Sequence, residues 1–426
     1  MGETTTRLGD LARARELDET YVMGTFARMP VEFVRGEGMW LEDSEGRRYL
    51  DFLAGIAVCS LGHCHPALVG AIREQAGRLI HVSNYFYIEH RGEVARILCE
   101  LAARDAAPSA WGDGTRWKAF FANSGAEANE CSLKLARLWA KRRAEKAGEP
   151  LASEVGEVVC LRRAFHGRTL GTIAATMQDR LQDPFQPLPP GYLAVDPGDV
   201  AGLERLFEER GERICAVLLE PVQGESGVHV LPRDFVRAAR RLCDEHGALL
   251  VFDEVQTGMY RCGAPYAFQT PEVGVTPDAI SLAKGMGGGF PVGACVARAE
   301  VADVMRPGEH GTTFGGSNLA CAAAHAVLEE LAAMGADAHV REVGGYLRER
   351  LASLPQVSEA RGLGLMVGAE LSEGAPEAHD VVARALAEGL VLNATGPTTL
   401  RLLPPLICTR EDVDEAVARL SRALSA

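Results

Sequence analysis

Between residues 118 and 283 the chain alternates short apolar runs with amphipathic stretches of helical spacing. No other feature narrows the available folds as much. The runs are KAFFA (118–122), EVVCL (157–161), ICAVLLE (214–220), ALLVFDE (248–254) and AISLA (279–283). Each has the length of a strand and is apolar along most of that length, as a strand buried on both faces requires. A helical stretch beginning at Ala126 and another at DFVRAARRLCDEHG lie between them. This alternation predicts an α/β fold, a mostly parallel sheet between layers of helix.

The flanks read differently. The first twenty residues form a helix or a loose arm. VEFVRGEGMWLEDSEGRRYLDF alternates around glycines and predicts a small antiparallel meander. HPALVGAIREQAGRLI has helical spacing, with Pro66 in its first turn. AEKAGEPLASEVGE is polar and is expected to loop at the surface. Beyond residue 315 come long helical patterns, LACAAAHAVLEELAA and VREVGGYLRERLASL, and short strands in GLMVGAEL, LVLNA and TLRLLP. The organisation expected is an arm and meander over 1–80, a large domain over 81–315 and a small α+β domain over 316–426, with the N-terminal part joining the small domain.

A formal net charge of −14 argues against nucleic acid or an anionic membrane as the partner. It also means that carboxylate substrates would need local arginines. No apolar run is long enough to span a bilayer, and the polar N-terminus lacks the apolar core of a signal peptide. The 11 cysteines are scattered without a CxxC pair, which fits reduced thiols in the cytoplasm.

Four features fall at strand ends, where open α/β sheets place ligands. Asn123-Ser124-Gly125-Ala126 opens a helix whose unpaired amides and dipole suit a phosphate, although Asn123 or Ser124 could equally be a plain N-cap. Asp253 closes a strongly apolar strand, and a carboxylate there needs a cation such as a protonated pyridine nitrogen; the plain alternative is a turn cap. Lys284 follows another apolar strand and precedes a glycine-rich loop. A lysine with little charged company loses its proton readily and can attack an aldehyde, whereas a surface lysine before a turn is the ordinary case. Arg168, in AFHGRTLG, could grip a carboxylate with both prongs. Gly-His63-Cys64-His65-Pro66 is spaced too tightly for a zinc site, and no metal is expected.

Taken in chain order (phosphate seat, Arg168 loop, Asp253, Lys284), these features resemble the class III, fold type I aminotransferases that use pyridoxal 5′-phosphate (PLP), and within them most of all the acetylornithine branch. The matching stretches include GIAVCSLGHCHPALV, FANSGAEANE, LLEPVQGESGV, LLVFDEVQTGMYRCG, AKGMGGGFPVGA, HGTTFGG and NATGPTTLRLLPPL, and the resemblance runs from about residue 25 to 425. It implies that Ser124, Gly125 and Ala126 seat the cofactor phosphate, Phe165 stacks on the ring, Asp253 pairs with the ring nitrogen and Gln256 meets the phenolic oxygen. Lys284 would hold the cofactor covalently. Thr313 would bind the phosphate in the neighbouring subunit of a homodimer, with Thr312 near that subunit's substrate.

The same resemblance implies that Arg168 holds the α-carboxylate of the substrates, Arg401 meets a second carboxylate, and Glu225 pairs with Arg401 and releases it. The implied reaction takes N2-acetylornithine and 2-oxoglutarate. Ornithine, 4-aminobutyrate and succinyl-diaminopimelate stay open as donors. Ile56 stands where ornithine δ-aminotransferases carry a tyrosine, and Ala126 stands where threonine is common. A binding protein that kept the fold without the chemistry is the rival of another class. Lys284, Asp253, Gln256 and Arg168 occurring together argue against it.

Overall fold

A computed structural model describes residues 9–148 and 156–425. The first eight residues of the arm and the middle of AEKAGEPLASEVGE lie outside them. The opening AEKA of that stretch is not a loop. Its strong helix formers continue the helix Gly125–Ala147, which stops only at Gly148, in the left-handed region at φ 70°.

The centre of the molecule is a seven-stranded sheet. In chain order its strands are β1 (Trp117–Ala122), β2 (Glu157–Leu161), β3 (Tyr192–Val195), β4 (Ile214–Leu219), β5 (Leu249–Asp253), β6 (Ala279–Leu282) and β7 (Gly293–Arg298). In space they run β1-β7-β6-β5-β4-β2-β3. Every pairing is parallel except the two made by β7. The interior strands are buried residue by residue, as their continuous apolar runs require.

Two strands of this sheet were missing from the sequence reading. β3 is an edge strand, only half-buried, flanked by prolines and glycines. β7 begins at Gly293, inside the glycine-rich stretch itself, so no turn signal separates it from the loop. Helices cover both faces. Arg233–His246 turns Phe235, Val236, Ala239, Leu242 and Cys243 inward, spaced at three and four residues. Each such buried side chain contributes roughly 1.5–3 kcal/mol of transfer free energy.

Two further sheets flank this one. Phe33–Glu37, Trp40–Asp43 and Arg48–Asp51 form the expected meander, and Leu390–Val391 joins it in parallel with the last of these strands. Val357–Leu363, Met366–Leu371, Thr399–Leu402 and Asn393–Ala394 make an antiparallel sheet. One apolar cluster unites Met39, Leu50, Phe52 and Leu61 with side chains from 323 to 424. The helix Asn318–Ala333 serves two cores. Ala320, Cys321, Ala324 and Leu328 face the cluster of the large sheet, while Ala323, Val327 and Leu331 face the other. The amphipathic helix Leu11–Tyr21, N-capped by Asp10, buries none of its residues.

Candidate active site

The parallel strands all end at one edge of the sheet, and there a cavity of about 360 Å³ opens. Ser124, Gly125 and Ala126 form part of its wall after β1, Phe165 after β2, Glu220 after β4, Asp253 at the end of β5 and Lys284 after β6. Gln256 lines it too. The site is thus assembled from strand ends, where a twisted open sheet leaves its crevice.

Ser124 caps the helix after β1: its hydroxyl accepts the Glu127 N–H at 3.2 Å. The capping and the phosphate readings of this turn therefore coexist, because the cap uses the third amide. The amides of Gly125 and Ala126 precede the helical ladder and stay available to an anion. Gly125 is required by space, since a Cβ there would lie 2.7 Å from Val255 Cγ1.

Asp253 is 4% exposed, and three donors reach its carboxylate. Its Oδ2 accepts Asn129 Nδ2–H at 2.7 Å and lies 2.8 Å from His166 Nδ1, and its Oδ1 accepts the Val255 N–H at 3.0 Å. Asn129 Nδ2 also donates to the His166 carbonyl at 2.8 Å. Burial favours the neutral imidazole, yet the bond to Asp253 outweighs it and raises the His166 pKa. Neither His166 nor Asn129 was assigned a role from sequence. Asn129 could have been found from its place one helical turn after Gly125, on the same face.

Glu220, 6% exposed, accepts the Phe165 N–H at 2.9 Å, and burial pushes its carboxyl up to about 7. Burial likewise lowers the Lys284 amine below its usual range, while Glu225, Asp253 and Glu220 pull the other way. Lys284 therefore has more acidic company than its sequence context suggested. Its backbone sits at φ 42°, a left-handed conformation that costs a residue with a Cβ about 1–2 kcal/mol.

Arg401 is fully buried. Its Nη1 donates to Glu225 Oε1 at 2.6 Å, Gln256 Oε1 at 3.2 Å and the Gly224 carbonyl at 3.1 Å, and its Nε donates to Asn393 Oδ1 at 3.2 Å. Burial would raise the Glu225 pKa, but the Arg401 cation outweighs it and holds the carboxyl below the usual range. Gln256 Nε2 donates to the same Glu225 oxygen at 3.2 Å, which ties the pair to the cavity wall. Arg168 is the opposite case. It is exposed, lies 5.5 Å from the Phe165 ring centroid and pairs with no carboxylate among the described residues.

Thr312 and Thr313 stand apart. They line a second cleft of about 1020 Å³ with Tyr85, Tyr87 and Arg91. Thr312 Oγ1 accepts the Gly315 N–H and Asn123 Nδ2–H, each at 3.2 Å. Around this cleft Tyr85, Phe86, Tyr87 and Phe314 are 62–103% exposed.

The residues present fit PLP. The amides at Gly125 and Ala126 suit its phosphate, Asp253 suits a protonated ring nitrogen, and Lys284 borders the same cavity. Two buried polar atoms, His166 Nε2 and Asn129 Oδ1, have no hydrogen-bond partner among the described residues, and both residues line the cavity.

Residues 23–424 match the family model Aminotransferase class-III. The chain is 43% identical over 415 residues to the acetylornithine aminotransferase of Methanocaldococcus jannaschii, covering 96% of this chain and 97% of that one. Among solved structures it resembles the ornithine aminotransferase from Toxoplasma gondii, at TM-score 0.88 and 32% identity, over 98% of this chain and 95% of that one. The acetylornithine aminotransferase from Elizabethkingia anophelis gives TM-score 0.82 and 30% identity, over 98% and 99%.

Proposed function

The chain belongs to the class III aminotransferases, PLP-dependent enzymes, and within that family we propose that it moves the δ-amino group of N2-acetylornithine to 2-oxoglutarate, as a cytoplasmic homodimer. The observation that carries the reading is the asymmetric pair of arginines beside one lysine-bearing cavity. Arg168 is exposed and has no carboxylate partner among the described residues, and Arg401 is buried against the partly exposed carboxylate of Glu225. A donor whose single carboxylate lies far from its amine uses the first arginine. A dicarboxylate acceptor uses both.

Bound PLP supplies an electron sink for the substrate carbon that loses its proton. The remaining work belongs to the chain. Gly125 and Ala126 amides hold the phosphate, and Ser124 keeps the helix start in place. Phe165 covers one face of the ring. Asp253, steadied by His166 and Asn129, keeps a proton on the ring nitrogen. Gln256 meets the phenolic oxygen. Lys284 holds the cofactor at rest and, once displaced, carries the proton away from the substrate carbon. Arg168 grips the α-carboxylate of either substrate. Arg401 takes the second carboxylate of 2-oxoglutarate after Glu225 yields it.

Thr313 and Thr312 of this chain would serve the neighbouring subunit's phosphate and substrate. The exposed aromatics around their cleft support that reading, since a patch of this kind is unusual on a monomer. The substrate is tested by comparing kcat/KM for N2-acetylornithine, ornithine, succinyl-diaminopimelate and 4-aminobutyrate with 2-oxoglutarate as acceptor. A preference for acetylornithine is expected. An equal or higher value for ornithine would overturn it.

A further inference from the structure

Two stretches of left-handed backbone meet beside the cavity. Ala54, Gly55, Ile56 and Ala57 follow one another at φ 50°, 64°, 66° and 62°, and Lys284 sits at φ 42°. Three of the first four carry a Cβ and one is β-branched, so the turn persists only because its surroundings hold it. Asp51, 1% exposed, does much of this. Its Oδ1 accepts the N–H groups of Leu53 at 2.8 Å and Ala54 at 2.9 Å, and its Oδ2 lies 2.8 Å from His63 Nε2. His63 is fixed in turn by backbone bonds both ways with Gly38, at 2.8 and 2.9 Å. The amides of Val58 and Cys59 close the turn onto the Ala54 carbonyl at 2.8 and 2.9 Å.

The turn delivers Ser60 to the lysine. Ser60 is 1% exposed and its hydroxyl donates to the Gly285 carbonyl at 2.9 Å. Among the described residues this is the one side-chain hydrogen bond to the turn Lys284–Met286. The approach is close: a Cβ on Gly285 would lie 2.7 Å from Ser60 Oγ. The Ser60 carbonyl is itself anchored, accepting the Leu406 N–H at 2.7 Å.

We propose that Ser60, presented by the left-handed turn that Asp51 and His63 lock, is a positioning residue for Lys284. It fixes the Gly285–Met286 peptide, one residue beyond the lysine, and through that short turn holds the amine within its cavity. The proposal rests on the reading of Lys284 as the lysine that carries the cofactor. Without the Ser60 hydroxyl the turn at 284–286 loses its tie and the amine gains room to reach water. Burial is what lowers the Lys284 pKa, so hydration raises it. The charged groups facing the amine (Glu225, Arg401, Asp253 and Glu220) are unaltered in the variant.

The test uses Ser60→Ala and Asp51→Asn. Asparagine keeps the Oδ1 acceptor and removes the charge beside His63. The pH midpoint for acetylation of Lys284 is measured in the cofactor-free full chain by peptide mass spectrometry, alongside the melting temperature. Ser60→Ala is expected to raise the midpoint and to lower kcat about tenfold, with KM within about twofold, on the scale of one buried hydrogen bond. Asp51→Asn is expected to shift the midpoint in the same direction by less. A wild-type midpoint in Ser60→Ala, with or without a lower melting temperature, would overturn the proposal, because the hydroxyl would then be merely structural. Failure of the underlying reading shows elsewhere: wild-type protein treated with PLP and borohydride would carry no label on Lys284.

Discussion

The two ends of the cavity are built on opposite plans. At the end that suits the ring nitrogen, Asp253 is pinned by Asn129, His166 and the Val255 amide, all on or beside regular elements, with Oδ1 left able to accept one further donor. At the end proposed for the substrate carboxylates, Arg168 has no acidic partner among the described residues, and Arg401 is held by Glu225, whose side chain is 30% exposed. The first arrangement keeps one geometry. The second accommodates partners of different charge. A reaction with two different substrates at one site needs both.

Substitutions can break this contrast, and they fall in order of size. Lys284→Ala removes the group common to both ends. Turnover is expected to fall by about 10⁴-fold or more, with loss of the visible band of bound PLP. Stopped-flow absorbance and steady-state assays read both. Asp253→Asn leaves the shape but strips the charge facing His166. Without the charge that would keep the ring nitrogen protonated, kcat for donor and acceptor half-reactions should fall together by roughly 10²–10⁴-fold, about 3–5 kcal/mol in barrier. Unequal effects on the two half-reactions would show that this end is not the fixed one.

Arg168→Lys keeps the charge at the adjustable end but loses the fork. KM should rise about tenfold for the amino donor and for 2-oxoglutarate alike, with kcat changed much less. A rise for only one substrate would show that the two do not share this arginine. The smallest effect on turnover belongs to Glu220→Gln, which acts instead on stability. Burial lifts the Glu220 carboxyl in the folded chain to about 7, so folding favours its protonated form. The wild type therefore loses stability from this group as pH rises from the ordinary carboxylate range through about 7. Glutamine does not titrate. The variant should gain on the wild type across that window, by about 3 kcal/mol at most. Urea denaturation at a series of pH values measures it.

The same contrast explains what could be read from the sequence. The strands whose ends border the cavity are short, mostly apolar and end at or just before a polar residue, so β1, β2, β4, β5 and β6 could be recognised one at a time. β3 and β7 could not. The first is a half-wet edge, and the second takes its identity from the antiparallel partners on either side. The partners of Asp253 were hidden for a similar reason: Asn129 and His166 reach it across 124 and 87 residues, and no local pattern encodes such a contact. The left-handed turn at 54–57 gave no sign at all, since only one of its four residues is glycine.

The helix Asn318–Ala333 has a mechanical consequence. Its two apolar faces close two separate cores. A cut beside it would therefore not release two autonomous pieces, because whichever piece lacked the helix would be left with an open wall of exposed side chains. Heat should melt both cores in a single calorimetric peak. For the same reason any rocking of the C-terminal sheet against the central one must turn this rod, and with it the packing on both of its sides.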